Sequence, residues 1–286
     1  MRIGAHVSAA GGISKAIDRA AVLGAETIQI FASPPQGWAF KPHADNEIES
    51  FKTKAAEHGI FPTFIHGVYL INLATENPDN LAKGIASLTF SMNVANEIGA
   101  KGVVFHVGSH KGAGLDAVLD QIVDCFHKVL EGAPGDPWLI IENNAGSGQN
   151  IGSQFSQLGR ILKEVGNERV MICLDTAHCL ASGYDVTTEE GLKAAIEEFD
   201  NEVGLDKLVA VHANDSKVPL KSYVDRHENI GHGHIGTEGF RNIMSHPAFR
   251  EVPFLLEVPG YDGKGPDRAN LEALLAIRES LKISQD

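Results

Sequence analysis

The stretch Val170-Met-Ile-Cys-Leu-Asp-Thr-Ala-His178 is an apolar run that ends on a carboxylate, Asp175, with an imidazole three positions later. A short apolar run bounded by polar residues reads as a buried strand. That reading puts Asp175 at the strand's C-terminal end and His178 in the loop behind it, two side chains able to ligate a metal. Alone, the pair is a weak signal. Five other strand-like runs end the same way: Phe61–Ile65 at His66, Gly102–Phe105 at His106, Trp138–Ile141 at Glu142, Leu208–Val211 at His212 and Phe254–Leu256 at Glu257. The loop after His212 adds Asp225 and His227, for a set of five imidazoles and four carboxylates.

This set is larger than one tetrahedral zinc can use, and no cysteine belongs to it, which excludes a zinc-finger type of site. Three metals sharing a bridging carboxylate use it well, and mixed imidazole and carboxylate ligation suits zinc, then manganese or iron. Metals packed together stabilise an in-line displacement at phosphorus, so phosphoester hydrolysis is the expected chemistry. Sugar isomerisation or epimerisation is the alternative. It uses one or two metals and a lysine or histidine for proton transfer, and no lysine stands at these strand ends. A catalytically silent metal- or DNA-binding protein is a third reading, against which stands the complete ligand set.

Positioning the set requires every strand end on one face. Strand and helix patterns alternate along the chain. Strands are expected at Ile3–Val7 and Thr27–Ala32 besides the six above. Helices are expected at Ile13–Leu23, from an Asp45 cap to Gly59, from Asn77-Pro78 to Gly99, and at Leu115–Leu130 and Gln154–Val165. Three more run from a Thr187/Glu190 capping box to Val203, over Thr237–His246, and over Asp267–Leu281. Eight strand–helix units in a chain of this length predict a closed (β/α)8 TIM barrel, one domain over residues 1–286, with the strand ends at the face where such barrels build active sites. An open doubly wound sheet is less favoured, because no glycine-rich fingerprint follows the first strand. Gly231-His-Gly-His-Ile-Gly236 does match G-x-G-x-x-G, but without a strand directly before it, and is set aside as a nucleotide signal.

Composition is that of a soluble globular protein, no apolar run approaches the about 18 residues of a membrane span, and no signal-peptide pattern opens the chain. The three cysteines, Cys125, Cys173 and Cys179, are too few for a disulfide framework and favour a reducing cytoplasm. Cys173 and Cys179 read as small core residues. His43, His58, His127 and His246 read as surface or helix residues, whereas His110, His232 and His234 fall in loops on the active face. The net charge of −13 argues against a nucleic-acid partner at first. Three divalent cations would bring it to about −7 and make the cleft locally positive.

Beyond these residues the chain resembles the endonuclease IV family, the metal-dependent apurinic/apyrimidinic endonucleases of base-excision repair. The resemblance runs the whole length: Gly4-Ala-His-Val-Ser-Ala-Ala-Gly-Gly12, Tyr69-Leu-Ile-Asn-Leu73, Phe105-His-Val-Gly-Ser-His110, Ile141-Glu-Asn-Asn-Ala-Gly146, Leu174-Asp-Thr-Ala-His178, His212-Ala-Asn-Asp-Ser-Lys217, Val224-Asp-Arg-His227 with the glycine-rich stretch behind it, and Leu256-Glu257. It implies three Zn2+ ions, replaceable by Mn2+ or Fe2+. His66, His106 and Glu142 hold the first; Glu142 bridges to a second completed by Asp175, His212 and Glu257; His178, Asp225 and His227 hold the third. Glu142 and Glu257 are the implied catalytic residues. The implied reaction is deoxyribonuclease IV-type hydrolysis of the phosphodiester 5′ to an abasic site in duplex DNA, leaving a 3′-hydroxyl and a 5′-deoxyribose phosphate. It extends to blocked 3′ ends, by a monomer. Tyr69 and Leu70 match the family's wedge residues, which enter the base stack. Two positions depart from the pattern: Ser33-Pro-Pro-Gln-Gly-Trp38 places Gln36 near a DNA-contacting arginine and lacks the lysine before it, and Val107 stands where proline is common.

Overall fold

A computed structural model describes residues 1–281; the last five positions of the expected 1–286 domain lie outside the described residues. Ten strands are defined: β1 Ile3–His6, β2 Ile28–Phe31, β3 Thr63–His66, β4 Gly102–Phe105, β5 Trp138–Glu142, β6 Val170–Asp175, β7 Leu208–His212, β8 Asp215–Ser216, β9 His227–Glu228 and β10 Phe254–Leu256. Eight of them close into a parallel barrel in the order β1-β2-β3-β4-β5-β6-β7-β10, and β8 pairs antiparallel with β9 as a short ribbon over the mouth. The helices are α1 Ser14–Leu23, α2 Asp45–His58, α3 Pro78–Ile98, α4 Leu115–Gly132, α5 Phe155–Val165, α6 Thr176–Ser182, α7 Glu189–Glu202, α8 Gly236–Ser245 and α9 Arg268–Ser280. None among the described residues is long and apolar enough to cross a membrane.

Strand periodicity explains how the site is seated. Side chains two residues apart share one face of a strand. The residues two before each strand-end group are Phe64, Val104, Ile140, Cys173, Ala210 and Leu255, and these six form a separate buried cluster inside the barrel. The alternate positions, among them Ile65, Val103, Ile141, Leu174, Val211 and Leu256, pack outward against the helices in the main core. Each of these six strands thus contributes an apolar plug residue and, one step higher, a polar group at the mouth. Fully burying such an apolar side chain stabilises by about 1.5–3 kcal/mol, so the floor of the site is also part of what holds the barrel closed.

Several helix starts differ from expectation for local reasons. Asn77 caps α3 through Asn80 N at 3.0 Å with Pro78 behind it, as the pattern predicts. At α7, however, Thr188 is the cap, bonding Gly191 N, while Asp185 takes up Thr187 through its amide and hydroxyl. Asp45 is the first residue of α2 and not its cap, with Ala44 in the capping position. The residues after Asp175 are helical: the Asp175 carboxylate accepts from His178 N at 2.8 Å and starts α6, so His178 lies on a helix and not in a loop.

α5 packs closely against the end of α7. A Cβ on Gly159 would overlap the Glu202 carbonyl oxygen. Replacing glycine by alanine inside a helix ordinarily stabilises by about 1 kcal/mol, but here the added methyl must push two backbones apart. Gly159→Ala is expected to lower unfolding free energy by roughly 1–3 kcal/mol in a denaturant titration; a gain in stability would show that the two helices are not in this contact.

Candidate metal centre

Glu142, 1% exposed, is the centre of the site. Its Oε2 lies 3.2 Å from His66 Nε2 and 3.3 Å from His106 Nε2, and its Oε1 lies 3.0 Å from His212 Nδ1 and 3.3 Å from His178 Nδ1. Asp175 pairs in register with His212 across β6 and β7. Glu257 follows β10, its Oε2 3.4 Å from His212 Nδ1. Asp225 and His227 arrive on the β8–β9 ribbon: Asp225 is 3.2 Å from His178 Nε2 and 3.3 Å from His227 Nε2, and His227 Nε2 is 3.4 Å from Asp175. All nine residues singled out by sequence are therefore brought together. Their ligand atoms form three groups: His66, His106 and Glu142; Glu142, Asp175, His212 and Glu257; and Asp175, His178 and His227, with Asp225 facing the last two. Asp175 stands in reach of two groups, where the resemblance gave it one.

The donors fit cations. His66 Nδ1 donates to the Gly67 carbonyl, His178 Nδ1 to the Asn143 carbonyl and His227 Nδ1 to the Glu257 carbonyl, which leaves each Nε2 lone pair facing the cleft. Such carbonyl and amide partners are what orient metal-ligating imidazoles. Glu142 Oε1, His178 Nε2, His212 Nδ1 and His227 Nε2 are buried and make no hydrogen bond. Buried acceptors that face one another without a hydrogen between them are costly. The 3.0 and 3.4 Å separations of His212 Nδ1 from Glu142 and Glu257, and the 3.4 Å of His227 Nε2 from Asp175, match the edge of a tetrahedron with zinc at its centre, about 3.3 Å for bonds near 2.0 Å.

Charge follows the same geometry. Burial opposes ionisation of Glu142, yet the His106 and His212 imidazoles hold its carboxyl well below the usual range. Asp225 is brought down to about 2, burial being outweighed by His178 and then His227. His178 and His212 move the other way, well above an ordinary imidazole: burial works against their protons, while Asp175 beside His178 and Cys173 and Glu257 beside His212 favour the proton that a bound cation would displace. Burial pushes the Cys173 thiol up to about 11, and Cys179 is buried beside it, so both are unreactive core residues as expected.

The ribbon that carries Asp225 and His227 is anchored from below. Asp215 is wholly buried, and its carboxylate accepts from the backbone N–H groups of Ser216, Gly231, Gly233, Ile235 and Gly236 at 2.8–3.3 Å. The G-x-G-x-x-G stretch is thus an anion cradle, and the anion is this chain's own side chain. Gly233 is required there, since a Cβ would overlap Asp215 Oδ1.

The three loop histidines have other partners. His110 Nδ1 accepts from Gly112 N and Gly114 N, His232 Nε2 meets the Tyr261 hydroxyl at 2.8 Å, and the His234 amide bonds Ser216 O. His43, expected at the surface, bonds the Ala32 carbonyl and lines the cleft. Tyr69 and Leu70 stand exposed beside the mouth, 65% and 41%. Pro35 O accepts from Tyr69 N, which ties the divergent loop to these two residues and leaves Gln36 on the surface. Val107 is buried. Sequence reasoning misses His6, Gln29, Asn143 and Asn214. The last two hold candidate ligands directly: Asn214 donates to Asp175 at 2.7 Å and accepts from Glu257 N, and Asn143 accepts from Asp175 N. Their signal is position, directly after or two beyond a strand-end group.

The fold and site define a metal-dependent enzyme on a (β/α)8 barrel, and residues 17–282 match the family described as xylose isomerase-like TIM barrel. Within that class the chain belongs to the endonuclease IV family. It is 40% identical to a Halothermothrix orenii protein named "Probable endonuclease 4" over 93% of this chain and 96% of that one. It superposes on endonuclease IV from Thermus thermophilus with a TM-score of 0.87 at 32% identity, covering 98% of this chain and all of the other. A D-tagatose 3-epimerase-like protein shares the fold alone, with a TM-score of 0.75 at 17% identity.

Losing the anchor should disturb the ribbon before the barrel. Asp215→Asn turns an amide N–H toward a ring of N–H donors and is expected to cost roughly 2–4 kcal/mol of stability. Metal analysis of the folded variant should show lower occupancy; full occupancy at wild-type stability would mean that the cradle does not fix the ribbon.

Proposed function

We propose that the chain hydrolyses the phosphodiester 5′ to an abasic site in duplex DNA, leaving a 3′-hydroxyl and a 5′-deoxyribose phosphate. It does so with three divalent cations, zinc first and Mn2+ or Fe2+ in its place. His66, His106 and Glu142 would hold one, Glu142, Asp175, His212 and Glu257 the next, and His178, Asp225 and His227 the third. The observation that carries this reading is a set of buried, unpaired atoms in a member of the endonuclease IV family: His212 Nδ1 faces Glu142 Oε1, and His178 Nε2 and His227 Nε2 face Asp225. Bound cations would acidify water near neutral pH and offset charge on the phosphoryl oxygens.

The chain's own residues supply the rest. Glu142 and Glu257, both held ionised, are the carboxylates able to orient attacking water and take its proton. Tyr69 and Leu70 enter the stack where a base is missing and unstacking is cheapest. The cleft, about 1280 Å³ and walled by Ser8–Ile13, Lys41–Ala44 and Lys264–Pro266, admits an extruded nucleotide or a blocked 3′ end. The enzyme acts as a monomer in the cytoplasm. Family membership disfavours the epimerase alternative, since the epimerase likeness is one of fold.

A duplex with one tetrahydrofuran abasic analogue tests the reading. Metallated protein of measured content should make a single nick on the 5′ side, and Glu142→Gln should reduce it to background. An intact duplex after incubation with fully metallated protein would sink the proposal. The divergent loop gives a second expectation. Gln36→Arg adds a cation beside the wedge and should tighten DNA binding, steepening its salt dependence by about one phosphate contact. Unchanged affinity and slope would place this loop away from the DNA.

A further inference from the structure

Gln29 is wholly buried at the mouth end of β2, in register with His6 of β1. It belongs to none of the three ligand groups, yet its amide touches two members of one of them. The nitrogen donates to Glu257 Oε1 at 2.6 Å and lies 3.0 Å from His6 Nδ1; the oxygen lies 3.0 Å from His212 Nε2. A neutral amide has one donating and one accepting end. With its nitrogen committed to a carboxylate, Gln29 must turn its oxygen to the imidazole, so His212 carries its hydrogen on Nε2. The His212 Nδ1 lone pair is then aimed at Glu142 and Glu257, 3.0 and 3.4 Å away. The same donation occupies Oε1 of Glu257, braced from the other side by His6 at 3.0 Å, and leaves Oε2 as the oxygen facing His212.

We propose that Gln29 is a positioning residue: its amide selects which nitrogen of His212 and which oxygen of Glu257 face the cleft, and so presets this pair for one divalent cation. The inference rests on the metal reading above. Glu257 and His212 come from neighbouring strands, β10 and β7, and nothing in their own backbones fixes the tautomer of one or the free oxygen of the other. One buried amide does both, and His6 closes the network from β1. A partner of this kind is commonly worth a factor of about 10–100 in metal affinity.

The test is Zn2+ titration of metal-stripped protein in competition with a chromogenic chelator, for wild type and Gln29→Met, which keeps the volume and removes both polar ends. One zinc should bind about 10–100-fold more weakly in the variant while the others keep wild-type affinity. The KM for abasic duplex should stay unchanged, with kcat restored at saturating Zn2+. If Gln29→Met does not fold, Gln29→Asn serves: it keeps the amide, falls one methylene short of its partners, and should weaken the same single zinc. Wild-type affinity for every zinc in the folded variant would overturn the inference alone. Equal weakening of all zincs with a lowered melting temperature would also overturn it, since that is the mark of a purely structural residue. A wild-type protein that takes up no zinc would overturn the metal reading and this inference together.

Discussion

Glu142 sets the terms for the whole structure. An ionised carboxylate at 1% exposure is very costly unless it is paired or coordinates a cation. Here four imidazoles stand within 3.3 Å of its two oxygens, drawn from β3, from the residue after β4, from β7 and from α6. No open arrangement of these segments delivers them to one point. Closure of the parallel barrel does, because every strand then ends on the same face. The apolar plug one step below each strand-end group is the complementary half of the arrangement. It dries the floor beneath the carboxylate and fixes the height at which each polar end emerges.

Much of this is legible in the amino-acid sequence, and the reason is the strand period of two. A run such as Gly102-Val-Val-Phe-His106 states both the strand and its polar end, and six such runs point to one face. Legibility fails where partners are distant or the backbone changes type. The pattern reads His178 as a loop residue, although the Asp175 carboxylate that ends the strand also begins a helix. His6 ends β1 as the other groups end their strands, but extending that strand to Val7 hides it. Gln29 is visible only as one polar residue within an apolar strand, and nothing local says that it faces Glu257, far along the chain.

Of the two departures from the family pattern, one falls on the rim and one in the core. The Ser33–Trp38 loop lacks the expected cations, and its backbone is bonded to Tyr69 through the Pro35 carbonyl. Val107 fills a buried position beside His106, where an apolar side chain serves.

The cradle around Asp215 has a consequence for recognition. Glycine-rich backbone rings of this kind attract phosphate because their N–H groups converge on an anion. In this chain a tethered carboxylate occupies the ring at an effective concentration that no free nucleotide can approach. The ring is therefore insulated from cellular phosphates. An enzyme whose cleft must admit a phosphodiester keeps this second anion receptor, within the same loop, permanently closed to competition.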